Sequence, residues 1–69
     1  MKRDVYDRLC LENKDLADKI GKLQGFLNTS AFDELSGIQK DLLRAQCFAM
    51  QTYLNILAMR IAVIAEDIT

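Results

Sequence analysis

The chain is predicted to be all-α: an antiparallel two-helix hairpin with a short helical turn between its arms, assembled into a homo-oligomeric helical bundle. Three observations lead there. Apolar residues recur at alternating spacings of three and four along both halves, which is the period of a single helix face. None of the 69 residues is proline, so nothing interrupts either long stretch. The polar break between them, from Asn28 to Ser36, is short and implies an antiparallel return. At this length one domain spans residues 1–69, with helix 1 at about 4–27, the turn at 28–36 and helix 2 at about 37–67.

Helix 1 carries the seam Tyr6, Leu9, Asn13, Leu16, Ile20, Leu23 and Leu27. Charged side chains fill most of the remainder, and Asp15 with Lys19 and Asp18 with Lys22 have the favourable acid-before-base spacing. At 1.5 Å per residue the helix is about 36 Å long. Ala17, Gly21 and Gly25 repeat every four positions in its second half. Each glycine costs about 1 kcal/mol relative to alanine inside a helix. Close approach of another backbone or a ligand would compensate; fraying near the helix end is the alternative.

In the turn, Asn28 suits the left-handed position after a helix, and Ser30 followed by Asp33 resembles an N-cap with an acid in the first turn. Residues 31–35 are expected to form one helical turn, with Phe32 and Leu35 closing the end of the hairpin. Ser36 and Gln39 have capping-box spacing at the start of helix 2.

Helix 2 is apolar nearly all round. From Cys47 to Ala65 its plainly polar residues are Gln51, Thr52, Asn55 and Arg60. About 20 apolar residues would span a bilayer, but four polar groups, one of them an arginine, make insertion poor. Glu66 and Asp67 also stand where flanking cations would be expected. No membrane association is therefore expected. A soluble helix of this kind must be covered nearly all round, and one partner helix covers one face. A chain this short needs outside help to bury such a surface. The expected partner is the chain itself, through helix 2.

Composition removes several function classes. The formal net charge is −1, with nine Lys or Arg against ten Asp or Glu, which argues against DNA or RNA as a partner. There is no histidine, hence neither the commonest general base nor the commonest metal ligand. Cys10 and Cys47 lie 37 positions apart without further zinc ligands; no metal site and no cofactor are expected. Both cysteines sit in apolar helical surroundings and read as free thiols of a reducing cytosol, with a disulfide as the alternative. The first residues turn acidic where the apolar core of a signal peptide would begin. No glycine-rich phosphate loop and no activated nucleophile can be assembled, so no catalytic residues are assigned and the chain is not expected to be an enzyme.

One line on helix 2 carries polar chemistry: Gln39, Leu43, Gln46, Met50, Tyr53, Leu57, Arg60 and Ile64, at alternating four and three spacing. Two readings stand. In the structural one, Arg60 pairs with an acid of helix 1 or of a neighbour, Tyr53 lends its ring to the core, and Gln46 with Asn55 sets register between subunits. In the functional one, these groups converge between subunits on a small anionic ligand. Arg60 or Arg44 would then grip phosphate and Tyr53 would stack on a base. The candidate ligand-binding residues are Arg60, Tyr53, Gln46, Arg44 and Asn55.

The residues at Lys19-Ile20, Lys22-Leu23, Phe26-Leu27-Asn28, Phe32, Leu35, Leu42-Leu43, Gln46, Ala49-Met50, Tyr53-Leu54, Leu57 and Arg60-Ile61 carry a resemblance. The chain resembles a family of small helical phage and prophage proteins of gut bacteria, related to a crAss-like phage reading frame. Where family members tend to be charged late in helix 2, this chain has Ala58, Met59, Ala62 and Val63. The resemblance implies a cytoplasmic protein of the infected bacterial host. By analogy it implies an anti-defence sponge, a non-catalytic oligomer that sequesters a nucleotide immune messenger such as a cyclic oligonucleotide or a cyclic ADP-ribose. Gln46, Tyr53 and Arg60 match the family pattern. The alternative is a helical adaptor that inhibits a host protein or serves phage assembly.

Overall fold

The structure, a computed structural model, describes residues 2–68. Helix α1 spans Lys2–Leu27, a single helical turn α2 spans Ser30–Asp33, and α3 spans Gly37–Ile68. The long helices pack antiparallel along their length into a rod of 50 × 15 × 14 Å. The helical hairpin with a short turn is the architecture expected from the periodicity.

The turn uses different atoms from those anticipated. Among the described residues none adopts a positive φ, so Asn28 is not in the left-handed region. Its side-chain amide instead donates to the Gln24 carbonyl at 3.1 Å, capping the last turn of α1. The N-cap of α2 is Thr29 rather than Ser30. Its backbone is extended and its hydroxyl accepts from the Phe32 N–H at 3.2 Å while donating to the Phe26 carbonyl at 2.7 Å. One hydroxyl thus joins the end of α1 to the start of α2, which the serine one residue later cannot do. Ser36 caps α3 as expected, its Oγ accepting from the Gln39 N–H at 3.3 Å. Phe32 closes the hairpin. It is buried, meets Phe26 edge-on with ring centroids 6.1 Å apart, and carries the Arg44 guanidinium 5.1 Å from its centroid.

The core is a single seam. From α1 it takes Leu9 and Ile20 as buried residues, with Tyr6, Cys10, Asn13, Leu16, Leu23 and Leu27 half-buried. From α3 come Leu43, Cys47, Met50, Leu54, Leu57, Ile61 and Ile64, again spaced by four and three, with Cys47 and Leu57 buried. Both cysteines are free. Neither glycine of α1 marks a close approach: a Cβ built on Gly21 or Gly25 meets nothing within 4 Å. The expected backbone contact is absent within the hairpin because both residues lie off the seam, in exposed positions.

One helix covers one side of α3 and leaves the rest in water. Ile38, Leu42, Phe48, Met59 and Val63 are each more than 60% exposed. By length and composition alone α3 is long and apolar enough to cross a membrane.

Candidate functional site: a groove beside the helix seam

Residues seven apart share one position on a helix that is coiled against a neighbour. On α1 the column beside the seam is Val5, Glu12, Lys19 and Phe26; on α3 it is Gln39, Gln46, Tyr53 and Arg60. Tyr53 Oη donates to Glu12 Oε2, and this bond fixes how the two columns face each other. In that antiparallel register Arg60 stands across from Val5, Gln46 across from Lys19, and Gln39 across from Phe26. Shared hollows agree at both ends, since Val5 and Arg60 line one and Phe26 and Gln39 another.

The two columns border a groove along one side of the hairpin. Its widest part is an open cleft of about 530 Å³ lined by Val5, Leu9, Ile56, Met59, Arg60, Val63, Ile64 and Asp67. Toward the turn it continues past Arg8 and Glu12 into a hollow of about 370 Å³ that includes Tyr53, Asp15 and Lys19. Both volumes fall in the range of small-molecule sites; the wider cleft is mostly apolar with Arg60 and Asp67 on it, whereas the hollow beside Tyr53 is lined largely by the charged Arg8, Glu12, Asp15 and Lys19. Arg60 is exposed at the rim and makes no ion pair among the described residues, so its donors are free to bind an anion.

The Tyr53 hydroxyl is held above its ordinary value near 10. The hydrogen bond to Glu12 is the main cause, followed by partial desolvation and the Glu12 charge, while Arg60 acts in the opposite direction. Tyr53 therefore stays a neutral donor through the physiological range. Gln46 directs its amide at the Met50 sulfur, 3.9 Å away, a weak contact that a better acceptor would displace.

The structure divides the five candidate residues. Gln46, Tyr53 and Arg60 form one column, of which Arg60 and Tyr53 line the groove and Gln46 continues toward the turn. At about 100° per residue, Arg44 and Asn55 fall on the opposite side of α3 and cannot join them within a protomer. Arg44 is engaged at the closed end of the hairpin, with Asp41 at 3.6 Å and the Phe32 ring beneath it. Asn55 is exposed. The proposed single stripe is likewise two: Leu43, Met50, Leu57 and Ile64 turn into the seam, and Gln39, Gln46, Tyr53 and Arg60 run along its edge. The polar partner that α1 supplies goes to Tyr53, not to Arg60.

Sequence reasoning missed Glu12, which looked like one more solvated charge. The available signal was its place in a seven-residue column with Val5, Lys19 and Phe26, immediately beside the apolar seam.

Residues 3–63 match the model of the Sequestin family. The chain belongs to the Sequestin family. The match takes in α1 from Arg3, the turn and α3 as far as Val63, so the Sequestin segment contains the whole Gln46–Tyr53–Arg60 column and the lining of the groove except Ile64 and Asp67. No curated protein and no solved structure matches the chain.

Proposed function

We propose that this Sequestin-family chain is a non-catalytic, oligomeric binder that sequesters a small anionic nucleotide, an immune second messenger of the cyclic oligonucleotide or cyclic ADP-ribose type. On this reading it is phage-encoded, acts in the cytoplasm of the infected bacterial host, and blocks anti-phage signalling by holding the messenger away from its effector. The family name points to sequestration. The observation that carries the ligand class is Arg60, an exposed guanidinium without an ion-pair partner among the described residues, at the rim of an apolar cleft of about 530 Å³.

Chemically the division of labour is simple. Arg60 offers a planar fork of donors to phosphate. The Tyr53 ring gives a face for a base, and its hydroxyl is tethered by Glu12 so the ring is already oriented. Nothing in this set supplies a nucleophile with an activating base, which supports binding rather than turnover. Isothermal titration against a panel of cyclic dinucleotides and cyclic ADP-ribose isomers tests the reading. Heat with at least one of them, returned unchanged after incubation, is expected; no heat and no rise in melting temperature with any would reject it. Arg60→Ala is expected to abolish binding with the oligomer intact, whereas loss of the oligomer would assign Arg60 a structural role.

The uncovered face of α3 supports a second reading, a helical adaptor that receives a helix of another protein. Light scattering on the purified chain separates the two. A defined homo-oligomer favours the sequestering binder, and a monomer that becomes defined only with a protein partner favours the adaptor.

A further inference from the structure

The exposed face of α3 has its own order. Ile38, Leu42, Ala45, Ala49, Thr52, Ile56, Met59 and Val63 are spaced by four and three throughout, as the covered seam is. All eight are exposed, and the large apolar ones (Ile38, Leu42, Ile56, Met59 and Val63) keep between 45% and 66% of their surface in water. The chain therefore presents two seams. One is filled by α1; the other runs about 38 Å along the far side of α3 and has nothing against it.

The second seam is close to a mirror of itself. Read from its two ends inward it pairs Ile38 with Val63, Leu42 with Met59, Ala45 with Ile56 and Ala49 with Thr52. Large residues meet at the ends, a small residue receives a large one next, and two small residues meet at the middle. A second α3 laid antiparallel about the midpoint makes each of these contacts twice, as an isologous two-fold interface does, and the small pair at the crossing lets the two helices approach closely there. A different partner would impose no such symmetry. The surface area agrees. The chain exposes 5119 Å², against roughly 4,400 Å² for a compact monomer of this mass, an excess of about 700 Å². A standard interface buries about 800 Å² on each partner.

We infer that two copies pack antiparallel along this second seam, with a two-fold axis between Ala49 and Thr52, and that the partner copy completes the groove. The column Gln39–Gln46–Tyr53–Arg60 lies on α3 between its two seams, so it becomes the floor of a trough walled by α1 on one side and the partner's α3 on the other. In an antiparallel pair equivalent flanking columns face each other. Tyr53 then stands beside Gln46 of the partner subunit, and Arg60 beside Gln39 of the partner subunit. The stripe that is split within one chain is assembled between two, with an aromatic ring, an amide and a guanidinium around one anionic ligand and two equivalent sites per dimer. This composite site rests on the binding reading above; the pairing itself does not.

Sedimentation velocity and cysteine cross-linking on the full chain decide the pairing without any ligand. Wild type is expected to sediment as a dimer. Ala49→Glu, which adds a charge at an exposed position and leaves the first seam alone, is expected to give a monomer of unchanged helical circular dichroism. Ala45→Cys with Ile56→Cys in one chain is expected to form a covalent dimer on oxidation, and neither substitution alone should. An equal mixture of a Gln46→Cys chain and a Tyr53→Cys chain is expected to join through a short bismaleimide, well above the wild-type background from Cys10 and Cys47. Cross-linking by Ala45→Cys alone would show parallel packing and overturn the inference. So would a monomeric wild type, or one that leaves buffer for phosphatidylcholine vesicles. Dimer and cross-links without heat from cyclic ADP-ribose or a cyclic dinucleotide would leave the pairing standing and remove the ligand reading.

Discussion

Gly21 and Gly25 offer a measurement that tests the packing directly. Both lie inside α1 with ordinary helical φ, and an added Cβ would meet no atom within 4 Å. Alanine therefore brings its helix propensity without a steric penalty, worth up to about 1 kcal/mol at a helix interior. Gly21 should return most of that. Gly25 should return nearer 0.5 kcal/mol, the low end of the range for a glycine-to-alanine change, because it lies in the last turn of α1, where its carbonyl accepts from the Asn28 N–H at 3.2 Å across three residues rather than four. Together the gain is about 1.5 kcal/mol, or roughly 6–12 °C in melting temperature for a domain of this size. The assay is thermal melting by circular dichroism at fixed protomer concentration, since self-association of the kind inferred above would make the midpoint depend on concentration. A fall in melting temperature for either variant, with helicity retained in the cold, would refute the reasoning. It would mean that another copy presses its backbone against these positions.

Other perturbations bear on the seam and the groove. Leu57 is fully buried, and Leu57→Ala is expected to cost about 2–5 kcal/mol by equilibrium denaturation, enough to unfold much of the population at 37 °C. Tyr53→Phe removes the bond to Glu12 and should alter the alkaline limb of stability. A phenol held above its ordinary value adds stability that is complete below pH 10 and is lost as pH rises through its folded-state value. Wild type should therefore weaken above about pH 10 more steeply than the variant, with Tyr6 supplying a residual slope in both through its contact with Cys10. A denaturant midpoint followed from pH 8 to pH 11 checks this, and identical slopes would remove the Glu12 bond from the account. Thr29→Ala removes a hydroxyl that both caps α2 and closes α1, so a loss of about 1 kcal/mol is expected, against little change for Ser30→Ala.

Much of this protein follows from its sequence without any structure. The four-and-three spacing of Leu9, Asn13, Leu16 and Ile20 is a local property of a helix, and so is the Ser36 cap. An all-α hairpin closed by Phe32 needs no more than those signals. Tertiary structure decided what depends on how far two helices are rotated and slid past each other. A rotation of about 100°, one residue's worth, separates Leu43 in the seam from Leu42 in water. A smaller angle, the roughly 40–60° between positions three or four residues apart, separates the four apolar residues of the predicted stripe from the column that borders the groove. The Glu12–Tyr53 pairing spans 41 positions and exists only in one antiparallel register, which no local pattern specifies. Likewise Thr29 displaced Ser30 as the cap because its hydroxyl alone reaches both helix ends, a distance set by the path of the turn. Periodicity names the residues that share a helix face; the packing of one helix on another decides which of those faces meets protein and which is left to form a site.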